Sequence, residues 1–131
     1  MITVLFQTES HFPVSREKVK DAAIKVLTGK LQSDAEVSIA IVGDRRMREL
    51  NRTYRHIDAT TDVLSFPQND PSQSMRPFVN PPDNVLYLGD IIVSYPQAVL
   101  EASSDNMMVD DKIVQLVLHG LDHLMGIHHP E

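Results

Sequence analysis

The sequence predicts an α+β fold in which helices pack on a mixed, roughly four-stranded sheet. Apolar and polar residues alternate in several short segments, and alternation with a period of two is typical of strands. Other segments carry apolar residues three and four positions apart, as expected for helices with one buried face. The order of these segments, β-α-β-α-β-β-α-α, is consistent with helices packed on a mixed sheet. A chain of 131 residues has no room for two independent cores, so residues 1–131 are expected to form a single domain.

The first half of the chain supplies two strands and two helices. Ser15 is a suitable N-cap for the first helix, and Gly29 is placed to end it. Gly43 and Asp44 are expected to turn the chain into the second helix. The predicted elements are a strand at 2–7, a helix at 16–28, a strand at 35–42 and a helix from 44 with Met47, Leu50 and Tyr54 facing inward.

The second half supplies two further strands and two further helices. Pro67 is expected to stop the third strand, because proline cannot donate to a sheet ladder. From Pro67 to Asn84 apolar periodicity is lost, which predicts a long loop. Pro96 suits the first turn of a short helix, and Gly126 is expected to end a central last helix. The predicted elements are strands at 62–66 and 85–94 and helices at 96–102 and 107–125.

Composition limits the class of protein and the kind of site. The chain is 42% apolar and 23% charged, which is the ordinary globular range. No apolar run could span a bilayer and the N-terminus does not resemble a signal peptide, so we expect a cytoplasmic protein. There is no cysteine, which leaves histidine nitrogen and carboxylate oxygen as metal ligands. A net charge of −6 argues mildly against a large nonspecific nucleic-acid surface.

Four of the six histidines lie between residues 119 and 129. His119 and His123 are about one helical turn apart on one side of the predicted last helix, a spacing that lets two imidazoles share a metal ion. Gly126 can let the chain leave the helix and fold back, so that His129, or His128 as second choice, completes the site. Three histidines leave a fourth position for water, which is the arrangement of a catalytic zinc site.

The alternative is that these histidines cluster by chance on the surface. Two imidazoles on an otherwise apolar, buried helix argue against chance, because buried unpaired imidazoles cost free energy. We therefore predict a metal-dependent hydrolase with one transition-metal ion per chain, most suitably zinc. In the peptidase signature His-Glu-x-x-His the general base follows the first ligand. Gly120 stands at that position here, so an ordinary metallopeptidase is disfavoured.

Three blocks of the sequence resemble one known family. His119-Gly120-x-x-His123-Leu124-x-Gly126-x-x-His129 is similar to the C-terminal signature of the YbeY family of metal-dependent single-strand endoribonucleases. Two more blocks resemble that family: Asn51-x-x-Tyr54-Arg55 with Thr61-Asp62-Val63-Leu64-Ser65-Phe66-Pro67, and Leu88-Gly89-Asp90-Ile91. The chain departs from the family at Asp122, Ile127 and His128, where an apolar residue, Tyr and Asp are usual.

The resemblance implies both a fold and a function. It implies a zincin-like α+β domain, a zinc ion on His119, His123 and His129, and cleavage of single-stranded RNA in ribosomal RNA maturation and ribosome quality control. Ribosomal RNA and ribosome-associated proteins are then the expected partners. It also implies that Arg55 is the family's functionally important arginine, whose guanidinium could hold a phosphate by two parallel hydrogen bonds. Arg55 and His119 are the expected catalytic residues.

Several side chains and two other functions stay open at this point. Arg45, Arg48 and Arg52 are expected to form a solvated helix face, and Asp122 to lie on the surface. Asp90 could be buried and orient a histidine, or could cap a neighbouring backbone group. Ser65 could contact substrate or be structural. The other functions are a ribosome-assembly factor that keeps the metal for stability, and a hydrolase of a small phosphoester or amide.

Overall fold

The computed structural model describes residues 1–9, 11–68 and 85–128, with side chains up to Gly126. Of the loop predicted from Pro67 to Asn84, residues 69–84 lie outside this part of the chain. The described elements, in chain order, are β1 (Ile2–Thr8), α1 (Arg16–Lys30), β2 (Ala35–Val42), α2 (Asp44–Arg55), β3 (Val63–Pro67), β4 (Leu86–Ser94), α3 (Tyr95–Ser104) and α4 (Val109–His128). The prediction of an α+β fold with a four-stranded mixed sheet is confirmed.

The sheet has the strand order β1-β2-β4-β3. Both β1 and β4 pair with β2 in parallel, whereas β3 pairs with β4 antiparallel and forms an edge. Buried and half-buried residues alternate along β2, so each of its faces packs against a different layer. The sheet is therefore mixed because one edge strand runs against the other three.

The two faces of the sheet carry different helices. The larger core lies between the sheet and the helices α1, α3 and α4. A smaller core lies on the other face, where Met47 of α2 packs against Val42 and Leu64. Because neighbours along a strand point to opposite faces, Ser65 projects from β3 toward α4, whereas Leu64 and Phe66 project toward α2. The last helix is central as predicted, and Ile113, Leu121 and Leu124 are its largest fully buried side chains.

Two helices run past the glycines that were expected to end them. Gly29 lies inside α1, which ends at Lys30, and Gly126 lies inside α4, which continues to His128. Neither glycine has a positive φ, and a Cβ at either position would meet no atom within 4 Å. Glycine costs a helix only about 1 kcal/mol relative to alanine, so it permits a helix end without imposing one. The predicted chain reversal at Gly126 is therefore wrong.

The end of α2 is formed by a residue that is not glycine. His56 adopts the left-handed conformation with φ of 60°, and its N–H donates to the carbonyl oxygens of Asn51 and Arg52. Histidine adopts this conformation more often than most residues other than glycine. The chain then turns from α2 into β3. Within the described part of the chain, no helix is long and apolar enough to cross a membrane.

Candidate functional site

An open groove runs between β3 and one side of α4. Its volume is about 1140 Å³, and it is lined by the whole of β3, by α4 from Gln115 to His123 and by Arg55 at the end of α2. The groove therefore joins the consecutive elements α2 and β3 to α4, which is distant from them in sequence and packs across the sheet. The groove contains three of the four side chains that the sequence singled out for chemistry: Arg55, His119 and His123.

Both histidines lie on the exposed side of a helix that is otherwise well buried. His119 and His123 are exposed, whereas the neighbouring Gly120, Leu121 and Leu124 are buried. The expectation that the imidazoles are buried is therefore wrong, and burial cost is no argument for a metal here. Their helical spacing still places the two rings about one turn apart on the same wall of the groove.

Ser65 forms a hydrogen bond with one of the two imidazoles. Its Oγ atom lies 2.6 Å from Nδ1 of His123, which is hydrogen-bond distance. With Nδ1 engaged by a hydroxyl, the ring nitrogen that remains for another ligand is Nε2. The sequence left Ser65 open between substrate contact and a structural role, and its contact with a histidine became visible only in the fold.

The absence of a side chain at position 120 has a packing reason. A Cβ on Gly120 would lie 3.0 to 3.3 Å from three side-chain atoms of Ile91, a fully buried residue of β4. Such distances are tighter than ordinary van der Waals contact, so the glycine lets α4 approach the sheet closely. Position 120 faces the core, and the general base of a His-Glu-x-x-His site could not stand there in this packing.

Arg55 differs from the other arginines of α2 in its electrostatic surroundings. Arg48 donates two hydrogen bonds to Asp58, of 2.8 and 3.0 Å, and Arg45 and Arg46 lie near Glu49. The Arg48 guanidinium holds the pKa of Asp58 below its usual range. Among the described residues Arg55 has no such ion pair, and it is exposed in the groove. Its guanidinium is therefore available to an anion.

The connection from α2 to β3 is braced by polar side chains, which sets where Arg55 stands. Asp44 accepts hydrogen bonds from Thr60, Ser94 and Gln97, at 2.9, 2.8 and 3.2 Å. Asn51 is buried and donates to the carbonyl of Ala59 at 2.8 Å. The sequence predicted only that Gly43 and Asp44 turn the chain and cap α2, because the three partners of Asp44 come from separate segments.

A carboxyl pair lies beside the groove. Asp62 lines the groove, and its Oδ1 accepts the backbone N–H of Val63 at 2.7 Å. Burial, together with a hydrogen bond to the Asp62 carboxyl group, raises the pKa of Glu101 on α3. The buried Lys112 lies nearby and donates to Asp105 and Gln115, each at 2.6 Å. This side of the groove therefore combines negative charge with a buried cation.

The third histidine of the predicted metal site cannot be placed among the described residues. His129 and the side chain of His128 lie outside the described residues. Within the described ranges no three His, Asp or Glu side chains are grouped as metal ligands.

Asp90 is exposed, and it pairs with Phe66, whose side chain packs on the α2 side. Asp90 therefore faces away from α4, so of the two roles left open by the sequence, the buried one that orients a histidine on α4 is not seen. Asp122 is exposed as expected, 3.5 Å from Lys30.

Comparison with known proteins identifies relatives of this chain. The family model described as endoribonuclease YbeY matches residues 5–131. An endoribonuclease YbeY of Dehalococcoides mccartyi is 37% identical over 123 residues, which cover 90% of this chain and 77% of that protein. One of Roseiflexus castenholzii is 40% identical over 102 residues, which cover 78% and 62% of the two chains. The solution structure of TM1509 from Thermotoga maritima has a TM-score of 0.61 and 22% identity, and covers 92% of this chain and 71% of that one. That likeness supports the fold.

Proposed function

This chain belongs to the endoribonuclease YbeY family, and we propose that it cleaves phosphodiester bonds of single-stranded RNA in the groove between β3 and α4. The observation that carries the proposal is that Arg55, His119 and His123 line one groove. A cation and two imidazoles that could ligate a metal, all lining one groove, can act on the same phosphate. The proposed setting is the maturation and quality control of ribosomal RNA, with ribosome-associated proteins as partners.

The donor atoms in the groove fit a transition metal. The two imidazoles offer nitrogen ligands one helical turn apart, and the Ser65 contact at Nδ1 leaves Nε2 of His123 for a metal. We propose one zinc ion per chain, held by His119 and His123, with His129 as the third ligand. When bound, such an ion supplies Lewis-acid chemistry at the phosphate and makes a coordinated water more acidic.

Arg55 supplies the charge that binds and stabilises the phosphate. Its planar guanidinium can donate two parallel hydrogen bonds to phosphate oxygens. Because no described carboxylate neutralises it, its charge acts on a bound anion and not within the protein. The phosphate would then lie between Arg55 and the histidines, where developing negative charge is stabilised by groups already in position.

The shape of the groove favours an extended polymer. The groove is open and is lined by the whole of β3 and by one side of α4, so an extended chain has room to lie along it. The arginine-rich face of α2 does not extend the binding surface strongly, since Arg48 is neutralised by Asp58 and Arg46 lies 3.5 Å from Glu49. Recognition therefore depends on the groove itself, and a flexible single strand can follow its walls more easily than a duplex.

Cleavage of defined RNAs by the purified protein tests this function. The protein is stripped of metal with a chelator, reloaded with zinc, and given matched single-stranded and double-stranded RNA. We expect cleavage only after reloading and mainly of the single strand. The variant His119→Ala/His123→Ala should be inactive, whereas His11→Ala, which removes an exposed imidazole outside the groove, should remain active. Tight RNA binding without cleavage by the zinc-loaded protein would favour the assembly-factor alternative.

A further inference from the structure

We propose that Ser65 is a positioning residue that orients the imidazole of His123 for metal binding. The inference rests on the proposed function, because it concerns the same groove and the same metal. It assigns a role to the serine of the Leu64-Ser65-Phe66 segment that is separate from contact with RNA. The role is to select which ring nitrogen of His123 faces the metal.

The contact is the closest polar contact between β3 and α4 among the described residues. The Ser65 Oγ atom lies 2.6 Å from Nδ1 of His123. Ser65 is half-buried on a strand, so its side chain has little freedom to turn away, whereas His123 is exposed. An exposed imidazole loses rotational freedom when it binds a metal, and a partner that already fixes the ring reduces that entropic cost.

The direction of the hydrogen bond depends on the tautomer of His123. A metal-bound imidazole commonly donates its other ring N–H to an oxygen, which fixes both the tautomer and the plane of the ring. With Nδ1–H donating to Ser65 Oγ, the lone pair on Nε2 is free for the metal. The opposite tautomer would put a proton on Nε2 and block it.

The packing of α4 on the sheet explains why Ser65 can reach the histidine. Ser65 is the cross-strand partner of Ile91, and Ile91 is the residue against which Gly120 packs. Paired residues of antiparallel strands point to the same face. The close approach allowed by Gly120 therefore brings α4 to the sheet beside Ser65, and His123 follows one helical turn later.

Asp90, the carboxylate that could have oriented a histidine, lies on the α2 side of the sheet. Asp90 is the cross-strand partner of Phe66, which packs on the α2 side of the sheet. Its side chain therefore points away from α4, and among the described residues a hydroxyl and not a carboxylate contacts His123. A neutral partner leaves the charge of the metal site unchanged, which keeps the groove attractive to a phosphate.

Zinc affinity of the full chain tests the inference directly. Competition with a coloured chelator gives the zinc Kd of the unaltered protein and of Ser65→Ala, Ser65→Thr, Ser38→Ala and His123→Ala. Ser38 is a half-buried serine of β2 outside the groove, and so serves as the matched control. We expect Ser65→Ala to raise Kd by roughly tenfold to a hundredfold, the usual effect of losing such a partner. Ser65→Thr keeps the hydroxyl and should stay near the unaltered protein, as should Ser38→Ala.

Nitrogen NMR of the zinc-loaded protein gives a second readout, the state of the two ring nitrogens of His123. This readout would not depend on Ser65 if the serine were merely structural. The Nδ1 signal of His123 should show a protonated nitrogen and Nε2 a metal-bound one. If Ser65→Ala binds zinc as tightly as the unaltered protein while His123→Ala does not, the role of Ser65 is overturned and the metal site stands. If both variants bind zinc normally, the proposed metal site fails together with this inference.

Discussion

Individual residues of α2 show how position decides what a charged side chain does. Arg48 and Arg55 lie on one helix, yet the first is neutralised by Asp58 and the second is exposed in the groove. Sequence spacing predicted the solvated arginine face and the shared side of His119 and His123. It could not predict the contact of Ser65 with His123, because that contact depends on how closely α4 approaches β3. It also left the role of Asp90 open, since strand alternation alone does not say which face is covered by which helix.

Removal of the Arg55 guanidinium should abolish most of the activity without affecting the fold. We expect Arg55→Ala to lower kcat/KM for single-stranded RNA by about a hundredfold or more, as is common for loss of one preorganised charge stabiliser. Arg55→Lys should restore little, because an ammonium cannot donate two parallel hydrogen bonds to a phosphate.

The control for Arg55 is an arginine of the same helix that lies outside the groove. Arg45→Ala should leave cleavage near the unaltered level, since the Arg45 side chain is 96% exposed. Thermal unfolding and zinc content are measured for every variant. Full activity of Arg55→Ala would contradict the phosphate role, and loss of its fold would show that Arg55 is structural.

At the scale of elements, helix starts were easier to predict than helix ends. Ser15 and Ser94 accept N–H groups of the first turns of α1 and α3, so local chemistry sets these starts. Helix ends were missed at Gly29 and Gly126, because a glycine allows a helix to end but does not require it. The sequence pattern also did not predict the β-bulge opposite Glu36 and Val37 of β2, because this bulge depends on how β2 pairs with β4.

Gly89 should be the glycine least tolerant of substitution in the described part of the chain. It has φ of 138°, and a Cβ there would lie 2.1 Å from the carbonyl oxygen of Phe66. Gly89→Ala therefore combines backbone strain with a clash, and we expect it to cost roughly 3 kcal/mol or more of unfolding free energy. The measurement is urea unfolding followed by circular dichroism.

Gly29→Ala provides the matched control for Gly89. A Cβ at Gly29 meets nothing within 4 Å and the residue lies inside α1, so alanine should stabilise the protein by up to about 1 kcal/mol. Equal effects of the two substitutions would contradict the strained role of Gly89. A stable Gly89→Ala variant would show that β3 and β4 can separate at this point.

The raised pKa of Glu101 predicts a specific pH dependence of stability. Burial and the hydrogen bond to Asp62 raise this pKa in the folded protein, so the native state binds a proton more tightly than the unfolded state. Such a group stabilises the fold fully below its unfolded pKa of about 4.3, and the stabilisation is lost as pH rises through the folded pKa. Glu101→Gln should therefore be more stable than the unaltered protein at pH values above the folded pKa of Glu101.

The difference between the two proteins should shrink as the pH is lowered into the acidic range. It is measured as the unfolding free energy from urea titrations at a series of pH values. Glu17→Gln, at an exposed position in the first turn of α1, serves as the control and should not gain stability over the same pH range, because a carboxylate near a helix N-terminus is stabilising. A pH-independent difference for Glu101→Gln would contradict the raised pKa of Glu101.

At the scale of the whole molecule, the fold brings the strand β3 and a central helix together to form the groove. The α+β class and the central last helix followed from periodicity and element order, which report the large-scale burial of apolar residues. The groove did not follow from these signals, because it exists only where β3, α4 and the end of α2 meet. The family resemblance predicted that Arg55 and the histidines belong to one site. The groove that these residues share supports that prediction.

The central claim, a metal held on α4 beside Arg55, is tested most directly by the zinc content of the purified protein. Elemental analysis is applied to protein prepared without a histidine tag and to His119→Ala/His123→Ala, with His11→Ala as control. We expect one zinc per chain in the unaltered protein and in the control, and almost none in the double variant, because each imidazole lost removes a ligand. A double variant that folds normally and retains one zinc per chain would contradict the claim.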